Sequence, residues 1–239
     1  MGYERRMIRS LVYVATVLLS IAPAGAATQP YTLSYFDAIR LEAPVSVMVK
    51  TGGGVSARGE GDRALLDRIE IRVAGSTLVV RMRPAAIGET MPQRGRVTLT
   101  LSTERIRSAQ VEGSGSLTLD AMSGLAGNVV ISGNGQATIT AVKLDKLTVI
   151  VGGPGRVTLT GVAQDANLQM LGTGAIEAGA LVVRRAVLGN MGPGIVNVAA
   201  SDTARVTAKG PGDVVVIGKA ACTVEHAGAG RVSCGGVEY

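Results

Sequence analysis

Aromatic side chains and histidine are nearly missing from this 239-residue chain, which has no Trp, one Phe, five Tyr and a single His. Each shortage excludes something. Proteins that bind single strands of nucleic acid stack bases on aromatic side chains. Beyond residue 26 this chain has only Tyr31, Tyr35, Phe36 and Tyr239, all near its ends. There is no run of basic residues either, so no nucleic-acid partner is expected. The lone His226 has no positioned nucleophile or carboxylate with which to build a catalytic triad, and it reads as structural. Cys222 and Cys234 are the only cysteines, too few ligands for a structural metal centre even with His226 beside them. No metal or cofactor is expected.

What the chain has in quantity is glycine, 33 residues, and much of it is ordered. The triplet Gly-x-Gly begins at Gly113, Gly133, Gly153, Gly172, Gly192, Gly210 and Gly228. Successive copies start 20, 20, 19, 20, 18 and 18 residues apart. A period near 20 residues marks a solenoid in which one short unit stacks on the next. A dinucleotide site is excluded, because a third glycine and a following helix are missing.

The residues around each triplet alternate. Two places after the second glycine stand Leu117, Ala137, Val157, Ile176, Val196, Val214 and Val232. Four places after it stand Leu119, Ile139, Leu159, Ala178, Val198, Val216 and Cys234. The positions between them are mostly polar, the mark of a strand with one buried face. A second strand precedes each triplet, with apolar residues two and four places before it except at Asn190 and His226. Each unit thus reads as strand, glycine corner, strand and a short polar return such as residues 162–166. An antiparallel sandwich also has many short strands and glycine turns. The fixed interval and shared phase favour an all-β fold, a single-stack parallel β-helix with coils of about 20 residues and Gly-x-Gly corners.

Residues 1–26 read as a secretory signal: Arg5, Arg6 and Arg9, an apolar stretch over 11–22, then Ala24-Gly25-Ala26 as a cleavage site. The apolar stretch is short for a membrane span, so an integral membrane protein is not expected. The expected mature domain, 27–239, has 21 Lys and Arg against 17 Asp and Glu, a net charge of +4. Residues 31–112 lack the triplet, yet 45–49, 69–73, 77–80 and 97–101 alternate as strands. Residues 64–68 fit a helical turn, and 84–95 a loop. These are expected to be the first, less regular coils, capping one end.

Phe36-Asp37-Ala38-Ile39, the stretch Gly59-Glu60-Gly61-Asp62-Arg63-Ala64-Leu65-Leu66, the strand pair over 69–80 and the glycine ladder together resemble the bacterial GIN domain family. That family is a domain of unknown function described as the head of autotransporter adhesins. The resemblance spans about residues 34–220. It implies a β-solenoid with an adhesin-like role at the cell surface, and it brings no catalytic residues.

Two features are candidate sites. In an exported protein Cys222 and Cys234, both at inward positions of the last coil, can pair as a disulfide; the alternative is two buried thiols. Thr98, Thr100, Thr118, Thr138, Thr140, Thr158 and Thr160 form an outward ladder that could contact a ligand, although threonine also simply suits exposed strand positions. The expected function is a secreted or periplasmic, non-catalytic binding or structural module of the cell envelope. Its partner would be a glycan, an envelope component or another protein, with self-association through the coil ends also open. The alternatives are a polysaccharide-acting enzyme and an envelope-stress sensor. An enzyme of that kind needs clustered acids, whereas Asp120, Glu177 and Asp213 stand in different coils and columns.

Overall fold

The computed structural model describes residues 27–84 and 96–239, and every strand in them joins one continuous hydrogen-bonded sheet wound about an axis. The parallel solenoid expected from the repeat is what the chain forms. Its regular part comprises β10 (Met122–Ser132), β11 (Gln136–Gly152), β12 (Arg156–Met170), β13 (Ala175–Asn190) and β14 (Ile195–Ala208). Then follow β15 (Val214–Gly218), β16 (Ala221–His226) and β17 (Val232–Cys234). All of these pair in parallel with the coil below. Seven corners bound about six turns.

The inward columns are dry. Leu117, Ala137, Val157, Ile176, Val196, Val214 and Val232 are all buried, and so is the set two places further on. Asn190 is the polar exception, with no exposed surface. Its amide makes up for that burial at the corner, donating to the Gly194 carbonyl (2.8 Å) and accepting from the Gly192 N–H (3.3 Å). His226, in the same column of the last coil, is exposed.

The glycine corners continue the ladder without a break. The Gly174 N–H donates to the Gly153 carbonyl (2.9 Å), that of Gly194 to Gly172 (3.0 Å), and that of Gly212 to Gly192 (3.1 Å). A Cβ on Gly155 would stand 2.8 Å from the Gly135 carbonyl oxygen and collide with Ile131. Gly153 adds a second requirement, a φ of 126° that side-chain-bearing residues rarely adopt.

The polar return differs from its sequence reading. It is itself strand: residues 142–144 pair with 161–163, and 161–163 with 181–183. Two successive outward residues, Gln164 and Asp165 or Arg184 and Arg185, mark a further corner, so the solenoid has three walls. Sequence polarity hid this, because corner residues point outward on both sides of the bend. Between β13 and β14 the pairing offset falls from 20 residues to 18, which shortens the later coils.

The N-terminal region departs from chain order. Its elements are β1 (Ala27–Tyr31), β2 (Ala38–Leu41), β3 (Ser46–Thr51), β4 (Ser56–Gly61), α1 (Arg63–Leu66), β5 (Ile69–Ala74), β6 (Thr77–Met82), β7 (Val97–Thr103), β8 (Ser108–Glu112) and β9 (Ser116–Leu119). The coil made by β2 and β3 lies between the β6–β7 coil and the β8–β9 coil. Hydrogen bonds fix it there. The Asp37 and Ala38 N–H groups donate to Ser76, the Arg107 N–H donates to the Asp37 carbonyl (2.7 Å), and buried Thr103 donates to the Phe36 carbonyl (2.6 Å). The Arg107 guanidinium also holds the buried Asp37 carboxylate at 2.6 Å.

Antiparallel strands close both ends. β1 pairs with β4, β4 with β7 and β5 with β6 at one end, and β18 (Val237–Glu238) with β17 at the other. A chain that must terminate a stack folds back to cover the last strand's free edge. The helical turn is a single one, with Asp62 capping it by accepting from the Leu65 N–H (3.2 Å). Most of the loop expected over 84–95, and the signal expected over 1–26, fall outside the described residues.

The phase of the columns has a direct test. Val157→Asp buries an unpaired carboxylate between two coils and should cost several kcal/mol. Arg156→Gln, one residue away and outward, should change stability by about 0.5 kcal/mol or less. Thermal unfolding of both variants checks this, and equal losses would contradict the assigned phase.

Candidate functional site

Aligning the coils at their first glycine shows what lies on the outer wall. Seven residues before it stand Lys146, Asp165, Arg185, Thr203 and Ala221, which pair in that order across five coils. Five residues before it stand Thr148, Asn167, Val187, Arg205 and Thr223, also in one column. Between them run Leu147, Ala166, Ala186, Ala204 and Cys222, pointing inward. The three alanines are almost fully buried. A groove of about 540 Å³ runs along the stack here, bounded by the two outward columns.

Its electrostatics are mostly positive. Asp165 receives two hydrogen bonds from the Arg185 guanidinium, Nε to Oδ1 at 2.5 Å and Nη2 to Oδ2 at 2.7 Å. That bidentate bond holds the Asp165 carboxyl below its ordinary pKa; burial opposes it, and the charges of Arg185, Lys146 and Arg184 add to the lowering. Lys146 and Arg205 make no ion pair among the described residues. Along the corner ridge Arg184 donates to Asp202 (2.9 Å) and Gln164 (3.5 Å), tying three coils together. A second shallow groove, lined in part by Lys143, Val162, Val182 and Arg184, lies on the other side of that ridge.

The residues singled out in the sequence fall elsewhere. Thr100, Thr118, Thr138 and Thr158 share one column, but Met48 interrupts it between Thr100 and Thr118 and Glu177 follows Thr158. Thr98 lies in the neighbouring column with Ser46 and Ser116. Thr140 and Thr160 sit at the next bend, where the Thr140 hydroxyl donates to the Asp120 carbonyl (2.8 Å). The interruption arises because β3 is inserted between β7 and β9. Cys222 and Cys234 are joined as a disulfide with a Cα–Cα distance of 6.3 Å. Cys222 is also the last residue of the groove floor. Among the described residues no group of three His, Cys, Asp or Glu could hold a metal, and no helix is long and apolar enough to cross a membrane.

The sequence reading does not anticipate the groove: the positions seven and six places before each triplet fall within the stretch that reads as a polar return, and the position five places before follows it.

Comparison with known proteins gives the same architecture. The family model described as "Putative auto-transporter adhesin, head GIN domain" matches residues 35–220. A "putative adhesin" of Bacteroides fragilis superposes with a TM-score of 0.82 at 20% identity, covering 88% of this chain and 97% of that one. A "Putative lipid binding protein" of Parabacteroides distasonis gives 0.69 at 18% identity, with 87% and 96% covered. A "putative adhesin" of Parabacteroides merdae gives 0.64 at 17%, with 87% and 95% covered. No curated protein matches the chain. At these identities the likeness to the solved structures is one of fold.

The Asp165 contact makes a titration prediction. A carboxyl whose pKa is lowered on folding contributes stability above its unfolded pKa and loses it as pH falls through the folded value. Carbon-13 NMR of the Asp165 carboxyl should therefore give a midpoint below about 3.9, the value for a free aspartate. A midpoint at or above that value would mean the Arg185 contact does not form in solution.

Proposed function

We propose that this chain, which belongs to the family of GIN head domains, is an exported adhesin-like module that works by surface contact and performs no chemistry of its own. The observation that carries this reading is the groove. It crosses five coils in phase and presents repeated polar side chains, as a surface for an elongated partner would. A stack of hydrogen-bonded coils also holds such a surface rigid, which lowers the ordering cost of binding.

Export follows from the reading of residues 1–26 as a cleaved signal. Ala27–Tyr31 pair with β4 at the end cap. Cleavage after Ala26 would leave the end cap intact. The disulfide between Cys222 and Cys234 suits an oxidising compartment. A bridge closing a loop of this size contributes roughly 2–4 kcal/mol.

A second reading, contact with lipid, draws on one observation. Leu171, Met191 and Ile195 are each more than half exposed beside the glycine corners. The groove favours the first reading, because its walls are polar and charged.

Labelled protein applied to arrayed glycans, phospholipid vesicles and intact bacteria should bind at least one glycan-bearing surface saturably. It should lose that binding on unfolding and should release no reducing sugar. Accumulating reducing ends, or binding to vesicles alone, would contradict the proposal.

A further inference from the structure

We infer that the groove takes a carboxylated polysaccharide, a chain of uronate-type sugars laid along the solenoid axis. This rests on the reading of the domain as a surface-binding module and adds the class of ligand. Three cations, Lys146, Arg185 and Arg205, line the groove against one anion, Asp165. Asp165 already bonds Arg185. That leaves Lys146 on one wall and Arg205 on the other without an ion-pair partner among the described residues.

The rest of the lining narrows the ligand. No aromatic residue is present. Nucleic-acid bases therefore lack a stacking platform, and a neutral sugar lacks the aromatic face that would bury its ring. Attraction must come from charge and hydrogen bonds. The arginine fork suits a carboxylate. Asn167, Thr148, Thr203 and Thr223 offer amide and hydroxyl groups to sugar hydroxyls, while the exposed Val187 can meet the C–H face of a ring. The outward positions recur once per coil, about every 4.8 Å, so a ligand that repeats along its own axis meets a side chain of each column at each step, although the residue type changes.

The test uses calorimetric titration of the purified protein with an oligogalacturonate and with the same oligomer methyl-esterified, which removes the charge and keeps the sugar. The free acid should bind, and the ester should bind at least about tenfold more weakly, the order expected for loss of charge-assisted contacts. Lys146→Gln combined with Arg205→Gln should weaken binding of the acid by about 10–100-fold, with the circular dichroism spectrum unchanged. Asp165→Asn should act in the opposite direction and tighten binding at low salt, an outcome that damage to the fold would not produce.

Equal binding of acid and ester would overturn the inference. So would a double variant that binds like the parent, an Asp165→Asn variant that weakens binding, or single-stranded DNA of equal charge binding as tightly. If the oligogalacturonate does not bind but another glycan does, and Thr138→Val with Thr158→Val abolishes that binding, the ligand class assigned here fails. The reading as a surface-binding module would then survive it.

Discussion

At each turn of the solenoid the backbone of one glycine lies directly on the backbone of the glycine one coil below. A Cβ on Gly135 would stand 2.8 Å from the Gly115 carbonyl oxygen, and one on Gly194 would stand 2.6 Å from that of Gly174. Only hydrogen fits. This close approach lets the corner amides donate to the corner carbonyls below, so the ladder of hydrogen bonds runs through the bend instead of stopping at it. The strands on either side are then held at sheet spacing and in one phase. The dry interior columns, the inter-coil ion pairs and the outer groove all depend on that phase.

The groove shows how a repeat makes a surface. A residue type placed at one position of the unit becomes a row along the stack. Outward side chains at two positions of the unit become the two walls of the groove. The row varies where a single site would be uniform. Lys146, Asp165, Arg185 and Thr203 succeed one another, and the Asp165–Arg185 contact fixes the ridge while leaving cations at both flanks. Asn190 shows the opposite use of a row. It breaks an apolar column, and its amide serves the corner glycines instead.

Much of this was legible in the sequence. The period, the strand phase and the glycine corners follow from steric and hydrophobic pattern alone, because a buried column tolerates little besides apolar side chains. Other features depend on contacts that local pattern does not record. The insertion of β2 and β3 between later coils is fixed by hydrogen bonds from Thr103 and Arg107 to Phe36 and Asp37, nearly 70 residues away. That insertion also puts Met48 into the threonine column. The return reads as polar and unpaired in the sequence because its corners put two polar residues side by side, and a strand that bends breaks the two-residue period.

The stretch at 59–66 meets the same demand at the capped end, where a Cβ on Gly61 would collide with the Arg96 carbonyl oxygen. At the stacked corners glycine thus marks the places where this chain must approach itself most closely. Thermal unfolding of Gly155→Ala beside Pro154→Ala tests that claim most directly. The overpacked corner should cost about 1–3 kcal/mol and lower the melting temperature by several degrees, while the neighbouring change at the exposed tip leaves it within about a degree. Equal melting temperatures for the two variants would contradict the account.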